Sequence, residues 1–479
     1  VAFPQLGQPD TGDTAWMLAS SALVLLMTPG LAFFYGGMVR TRSVLNMIMM
    51  SISAMGVVTV LWVLYGYSMS FGDDRGGVVG NPTDYWGLAK LIGGNAVKAD
   101  PSKGVTQVDI PLAGTMPATV FVAFQLMFAI ITVALISGAV ADRLKFTAWL
   151  VFAGLWATLV YFPVAHWVFA ADGFASEHGG WINNKLHAID FAGGTAVHIN
   201  SGVAGLALAI VLGKRRGWPT TMFRPHNLPF VMLGAGLLWF GWFGFNAGSA
   251  TSSNGSAGAT FMTTTVATAT GMLAWLLTER IRDGKPTTLG AASGIVAGLV
   301  AITPSCSSVN ILGAIVVGAV AGVVCALAVG LKFRFGFDDS LDVVGVHMVG
   351  GLAGTLLVGL LAAPESTAIN GVAGVSKGLF YGGGWAQLER QAVGAFAVLF
   401  YSGIVTLILA LILKYTIGLR VGAEEESTGI DESEHAESAY DFGTIGGQGS
   451  VLPAARTPVD DRNGLEEDRV GDKVEAEQA

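Results

Sequence analysis

Apolar residues run along almost the whole chain in blocks of about 18–25, each broken by a short polar or glycine-rich interval. Wound as a helix at 1.5 Å per residue, a block of that length crosses a hydrocarbon core of about 30 Å. Eleven blocks are read, at 14–36, 45–70, 114–138, 148–171, 193–212, 227–249, 259–279, 288–303, 311–331, 341–363 and 390–416, the eighth being short. The pattern predicts an all-α polytopic membrane protein with eleven transmembrane helices. An odd count puts the two termini on opposite sides.

Composition agrees. Of 479 residues 52% are hydrophobic and 13% charged, with 66 glycines, and the mean hydropathy is +0.59. Soluble globular proteins carry about 25% charged residues, so that class is excluded. Lys and Arg set the orientation. With the N-terminus outside, fifteen of the 26 basic residues fall in inner loops and helix ends, seven are scattered outside and four lie in the C-terminal segment. The reading is N-out, C-in. The first dozen residues lack the basic start of a secretory signal. Cys306 and Cys325 are too few for a disulfide framework and read as small buried residues.

After Val421 the character changes: sixteen acidic residues stand against four basic ones, a balance of −12, so the rest of the chain is +4 and the sum is the formal −8. The chain divides into a transmembrane core at 14–418 and an acidic cytoplasmic tail at 419–479. With few apolar residues, most of the tail has no core to bury and is expected to be disordered alone. It reads either as a solvated acidic segment or as a docking segment for a cytoplasmic partner.

"VHINSGVAGLALA" (197–209) and "VHMVGGLAGTLLV" (346–358) share V-H-x-x-x-G-[VL]-A-G, in the fifth and tenth blocks. The two copies imply sets of five helices, about 14–212 and about 227–363, with 390–416 as a last helix. Five is odd, so the second set enters inverted, an arrangement that places a site near the midplane. From Asp190 to His198 the rise is about 12 Å, and from Asp342 to His347 about 7.5 Å from the opposite side. Both imidazoles then meet near the centre. Gly202, Ala204, Gly205, Gly351, Ala353 and Gly354 are small enough to let their helices touch.

An ionisable residue inside a membrane marks a pathway or a proton relay more often than packing, and two in matched repeats strengthen that reading. Asp190 precedes a Gly-Gly-Thr start and reads as an N-cap, or as a carboxylate that concentrates cations. Asp339 and Asp342 read as structural. "WFGWFGFNAGSA" (239–250) joins aromatic rings to Ser249; it suits an interfacial aromatic belt or a small-cation site. Phe124 and Phe128 stand four apart on one helical face and alone read as core. No hydrolase, nucleotide-binding or metal motif is found, and the glycine patterns inside the blocks are explained by packing.

"PGLAFFYGG" (29–37), "AFQ" (123–125), "DFAGGTAVHIN" (190–200), "PHNLP" (225–229), "GWFGFNAGSA" (241–250), "ITPSC" (302–306) and "DDSLDVVGVH" (338–347) together resemble the Amt/Mep/Rh ammonium transporters, specifically the bacterial Amt branch, over about 14–442. The resemblance implies a homotrimer in a bacterial cytoplasmic membrane, one pore per protomer and no cofactor. It implies pore histidines at His198 and His347, a phenylalanine gate at Phe128 and Phe245, and an outer ammonium site of Phe124, Phe128 and Ser249. The family's outer tryptophan aligns with Phe169, unless Trp167 substitutes from a shifted position. Asp190 matches the vestibule carboxylate. The tail resembles one that couples subunits and meets a PII-type protein; 443–479 extend past the usual end. Nucleic acid is not an expected partner.

The expected activity is uptake of ammonium: recruitment of the cation, deprotonation, ammonia conduction through an apolar pore, and proton passage along the His pair. A passive ammonia channel uses the same residues. An ammonium sensor signalling through the tail, and a haem held by the two histidines, are rival readings.

Overall fold

The computed structural model describes residues 3–93, 102, 109–221 and 223–440. Ten helices among them are long and apolar enough to cross a membrane: α1 (Thr11–Met38), α2 (Val44–Phe71), α3 (Ala118–Val140), α4 (Phe146–Phe169), α5 (Gly194–Leu212), α6 (Leu228–Gly248), α7 (Gly255–Arg282), α9 (Ile311–Phe335), α10 (Val344–Leu361) and α11 (Ala386–Thr416). The short eighth block falls on α8 (Thr288–Ile302), a shorter apolar helix. Asn227, Asn254, Thr287 and Asn310 each accept a backbone N–H at the start of α6, α7, α8 and α9, as N-caps do. A small antiparallel sheet of Gln5–Gly7, Ile110–Ala113 and Met116–Pro117 joins the N-terminus to the segment before α3.

Burial sorts the helices. In α5 89% of the apolar window is buried inside the protein, against 33% in α2 and in α11. The centre is therefore α5, which crosses α10, with α2 and α11 at the periphery. Two glycines set that crossing. A Cβ on Gly202 would lie 2.4 Å from the Met348 nitrogen, and one on Gly351 would lie 3.0 Å from the His198 Cβ. Larger residues at either position would drive the helices apart.

Both central helices open with a wide, π-helical turn, Gly194–Ile199 in α5 and Val344–Met348 in α10. Such turns are infrequent and recur at functional sites. Each follows an aspartate eight residues ahead of a histidine, Asp190 before His198 and Asp339 before His347. Asp339 accepts from the N–H of Val343 (3.1 Å) and Val344 (2.7 Å). Asp342, expected to be the matching carboxylate, instead takes a positive φ of 63° and pairs with Lys332 at 2.6 Å. The cap of α10 is Asp339, because only a residue one turn further out faces the free N–H groups of the first turn.

The acidic segment begins by folding back on the helices. Ala423–Thr428 (α12) and Ile430–His435 (α13) are short helices in the same body as α1–α11. Asp431 accepts from the N–H of Leu45 (3.0 Å) and Asn46 (2.8 Å), at the start of α2. Glu434 accepts from Phe146 N–H at the start of α4 (2.9 Å). Carboxylates with few apolar neighbours thus find a place at helix N-termini.

Burial pushes the Asp339 carboxyl up to about 7, against the pull of the Lys332 ammonium. A carboxyl raised on folding holds its proton more tightly when folded, so its stabilising contribution is present at low pH and is lost as pH rises toward about 7. In detergent-solubilised protein, wild type is expected to lose stability relative to Asp339→Asn by up to about 1.4 kcal/mol per pH unit between about pH 4 and 7, levelling off above. Melting curves that stay parallel for the two proteins across that range would remove the titration assigned to Asp339.

Candidate functional site

Asp190 anchors the entry to α5. Its carboxylate accepts from the N–H of Gly193 (2.9 Å), Gly194 (2.5 Å), Thr195 (2.8 Å) and Ala196 (3.2 Å), and from the Thr195 hydroxyl. This is N-capping; both oxygens are already engaged. Two turns on, His198 and His347 lie side by side, 1% and 4% exposed. Their Nδ1 atoms are 3.3 Å apart, with ring centroids at 5.4 Å and planes at 23°. One of the two nitrogens donates to the other. That contact leaves no room for a porphyrin between the rings, which removes the haem reading.

Three cavities follow one another along α5. The first, ≈ 700 Å³, includes Asp190, Phe128, Phe169, Ser249 and Gln125 in its walls. The second, ≈ 10 Å³, is lined by Val197, His198, His347, Trp242, Phe245 and apolar side chains such as Leu31 and Val296. A single water-sized centre fills a space of that size. The third, ≈ 570 Å³, includes Leu206, Ile210, Lys214 and Asp338. Between the first and the second stand two stacked rings, Phe128 and Phe245, with centroids 4.0 Å apart and planes at 17°. Phe128 faces the first cavity and Phe245 the histidine cavity.

The remaining expected residues divide. Phe169 meets Phe128 edge-on, centroids 6.1 Å apart, and lines the first cavity. Trp167 does not substitute for it: its indole N–H donates to Val78 O (2.7 Å) and its ring packs on Trp181 and Tyr401. Phe124 is fully buried behind Phe128, centroids 4.9 Å apart, and is not part of the cavity wall. Ser249 donates to Phe245 O (2.8 Å) at the end of α6, which leaves its oxygen as an acceptor beside the cavity.

Two residues of the site escaped the sequence reading. Trp242 stacks on the His198 ring, centroids 5.4 Å apart and planes at 20°, and is held by a hydrogen bond to the Thr303 hydroxyl (2.9 Å). Its signal was the three-residue spacing to Phe245, which puts both rings on one helical face. Gln125 is 8% exposed, and its amide oxygen has no hydrogen-bond partner among the described residues although it borders the first cavity. His198 Nε2, at the inner cavity, is likewise without a partner among them. Buried polar atoms left this way are uncommon and point to a transient partner.

Residues 15–440 match the family model described as the Ammonium Transporter Family. The chain is 81% identical over 475 residues to an ammonium transporter of Mycobacterium tuberculosis, covering 99% of each. Among solved structures it resembles Mep2 of Saccharomyces cerevisiae, with a TM-score of 0.79 at 35% identity over 91% of this chain and 93% of that one. It also resembles a protein described as a sensor Amt protein, TM-score 0.77 at 26% identity over 88% and 98%. The chain is a multi-pass membrane protein that belongs to the ammonium transporter family, whose members are transporters and channels and not enzymes.

Proposed function

We propose that this protein takes up ammonium across a bacterial cytoplasmic membrane by recruiting the cation outside, removing a proton and conducting ammonia through the histidine cavity. The observation that carries the reading is the pair of stacked rings, Phe128 and Phe245, that closes an outer cavity with Asp190, Gln125 and Ser249 in its walls from a mostly apolar inner one whose titratable lining residues are the two histidines. A permanent cation loses its hydration there with no oxygens to replace it, at a cost of several kcal/mol. Potassium has no neutral form. Ammonium has one.

In this reading the ring faces of Phe128 and Phe169 attract the cation. Ser249 and the unpartnered amide oxygen of Gln125 accept its hydrogens. The proton passes along the close His198–His347 pair while ammonia crosses. Asp190 acts indirectly, by fixing the start of α5. The architecture that goes with it is N-out and C-in, with α8 as an eleventh crossing. Helices α1–α5 and α6–α10 form two inverted sets, each opening its last helix with an aspartate cap, and α11 follows. Residues 14–418 are the transport core and 419–479 the cytoplasmic tail. The working unit is a homotrimer, with a PII-type protein as the tail's partner.

A sensor reading draws on the likeness to the sensor Amt protein. Its discriminating measurement is transport by protein truncated after Val421: undiminished uptake speaks against sensing through the tail as the main role.

The deciding experiment is the current across proteoliposome membranes after an ammonium pulse, with a potassium pulse as control. A current with ammonium and none with potassium is expected; a lumenal pH rise without current would replace deprotonation and separate proton passage by neutral ammonia conduction. His347→Leu, close in volume but unable to hold a proton, is expected to lower the ammonium current at least about tenfold. A current equal to wild type in that variant would take the histidine pair out of the proton path. Phe169→Trp places an indole where a phenyl now meets Phe128. About 0.5–1 kcal/mol of extra cation–π attraction lowers the half-saturating ammonium concentration roughly two- to fivefold, read from the concentration dependence of the current.

A further inference from the structure

The geometry of a separate cavity, on the face that carries α12, points to a binding site for a phosphate group, and we propose it as such. The cavity is ≈ 440 Å³ and is lined by Arg40, Arg42, Arg216 and Arg224, with Phe223 and Glu426. Four guanidinium carriers thus face one carboxylate. That carboxylate is already engaged: Glu426 Oε1 accepts from the Arg216 backbone N–H (2.7 Å) and Oε2 from Arg420 (2.6 Å).

Arg40, Arg42 and Arg216 are short of counter-charge among the described residues. Arg216 gives its guanidinium to a neutral partner, Ala423 O (2.9 Å). Arg42 is exposed and forms no ion pair with a carboxylate among the described residues. Arg40 meets Asp142 at 3.4 Å, but Asp142 also serves Arg215 at 3.3 Å. Phe223 steadies the planar groups, its ring centroid lying 5.8 Å from the Arg40 and 4.2 Å from the Arg215 guanidinium. Gathering like charges around one opening costs Coulomb energy unless an anion joins them. Guanidinium forks bind phosphate oxygens two at a time, and a phosphate ester offers several such oxygens with up to two charges.

The ligand chemistry is therefore a phosphate monoester or diphosphate, carried either by a lipid headgroup or by a small soluble compound. Its occupancy has a structural consequence. Glu426 and Ala423 belong to α12, whereas Arg40, Arg42 and Arg216 belong to the helical core. An anion seated among those arginines reinforces the wall on which α12 rests. The proposal stands on this cavity and not on the transport reading.

The test uses the full chain, purified in a neutral detergent at fixed ionic strength, since charge-driven binding depends on salt. Inorganic pyrophosphate is the soluble probe, dioctanoyl phosphatidic acid the lipid probe, and dioctanoyl phosphatidylcholine the zwitterionic control, all by titration calorimetry. Saturable binding of pyrophosphate alone identifies a soluble ligand; of phosphatidic acid alone, a headgroup; of both, a site that reads the phosphate irrespective of its carrier. Arg42→Gln, at a side chain for which no hydrogen bond or ion pair is found among the described residues, and Arg42→Gln with Arg216→Gln are expected to weaken binding about tenfold or more. Arg42→Lys with Arg216→Lys, which keeps charge and loses the fork, falls between. Arg280→Gln, on another exposed basic residue, leaves it unchanged. Absence of saturable binding by either phosphate probe, or equal affinity in wild type and Arg42→Gln, overturns the site.

Discussion

The centre of this fold depends on how closely α5 and α10 cross. A side chain at Gly202 or Gly351 would occupy space now filled by the backbone and Cβ of the opposite helix. Between membrane helices there is little hydrophobic gain to force such an approach, so small residues must permit it. Once the axes are that close, two histidines one turn from the contact have nowhere to go but against each other. The aspartate caps do the complementary task. Asp190 and Asp339 tie up the first N–H groups of each helix and so fix the depth at which each ring enters. Depth from the caps and separation from the glycines leave the imidazole pair little freedom.

Much of this was legible in the sequence. Block length gave the helices, and the repeated V-H-x-x-x-G-[VL]-A-G gave the paired histidines and the glycines that let them meet. What the reading missed has a common cause. It ranked residues by type and by distance along the chain, whereas the structure selects them by facing. Asp342 is nearer to His347 than Asp339 is, but it sits in a left-handed turn and looks toward Lys332. The spacing of eight, the same as from Asp190 to His198, was available as a signal and points to Asp339. Trp167 was attractive as an indole near the outer cavity; its neighbours Tyr401 and Trp181 turn it into the core while Phe169 takes the cavity side. Phe124 shares a helix face with Phe128, yet the next helix covers one ring and leaves the other lining space.

Composition did not point to the two short helices at 423–435, for a physical reason, and residues 441–479 lie outside the described residues. An acidic stretch with few apolar residues has no core of its own, which argues for a solvated tail. Carboxylates also find partners on a surface already built. Helices that end at a membrane boundary present unpaired N–H groups and clusters of arginine, and Asp431, Glu434 and Glu426 meet those groups directly. The first part of the tail is ordered by the core's unmet hydrogen-bonding and charge demands, without burying a large apolar face. The same imbalance, only partly met by Glu426, leaves the arginine-lined cavity beside α12.

The inner cavity combines a largely apolar lining with an imidazole nitrogen, His198 Nε2, that has no partner among the described residues. Burying a polar atom without a partner costs about 1–3 kcal/mol, and Trp242, stacked on the same ring, offers it no bond. An apolar residue of similar shape would stabilise the fold better, so packing alone gives no reason for the ring to be there. The arrangement makes sense when the missing partner is a small molecule that both donates and accepts hydrogen bonds and arrives one at a time through Phe128 and Phe245. Such a cavity holds its occupant loosely, because one or two hydrogen bonds in a space the size of a single water cannot trap it. Under the proposed reading, selectivity then resides in the desolvation imposed before the gate, and speed in the weakness of binding after it.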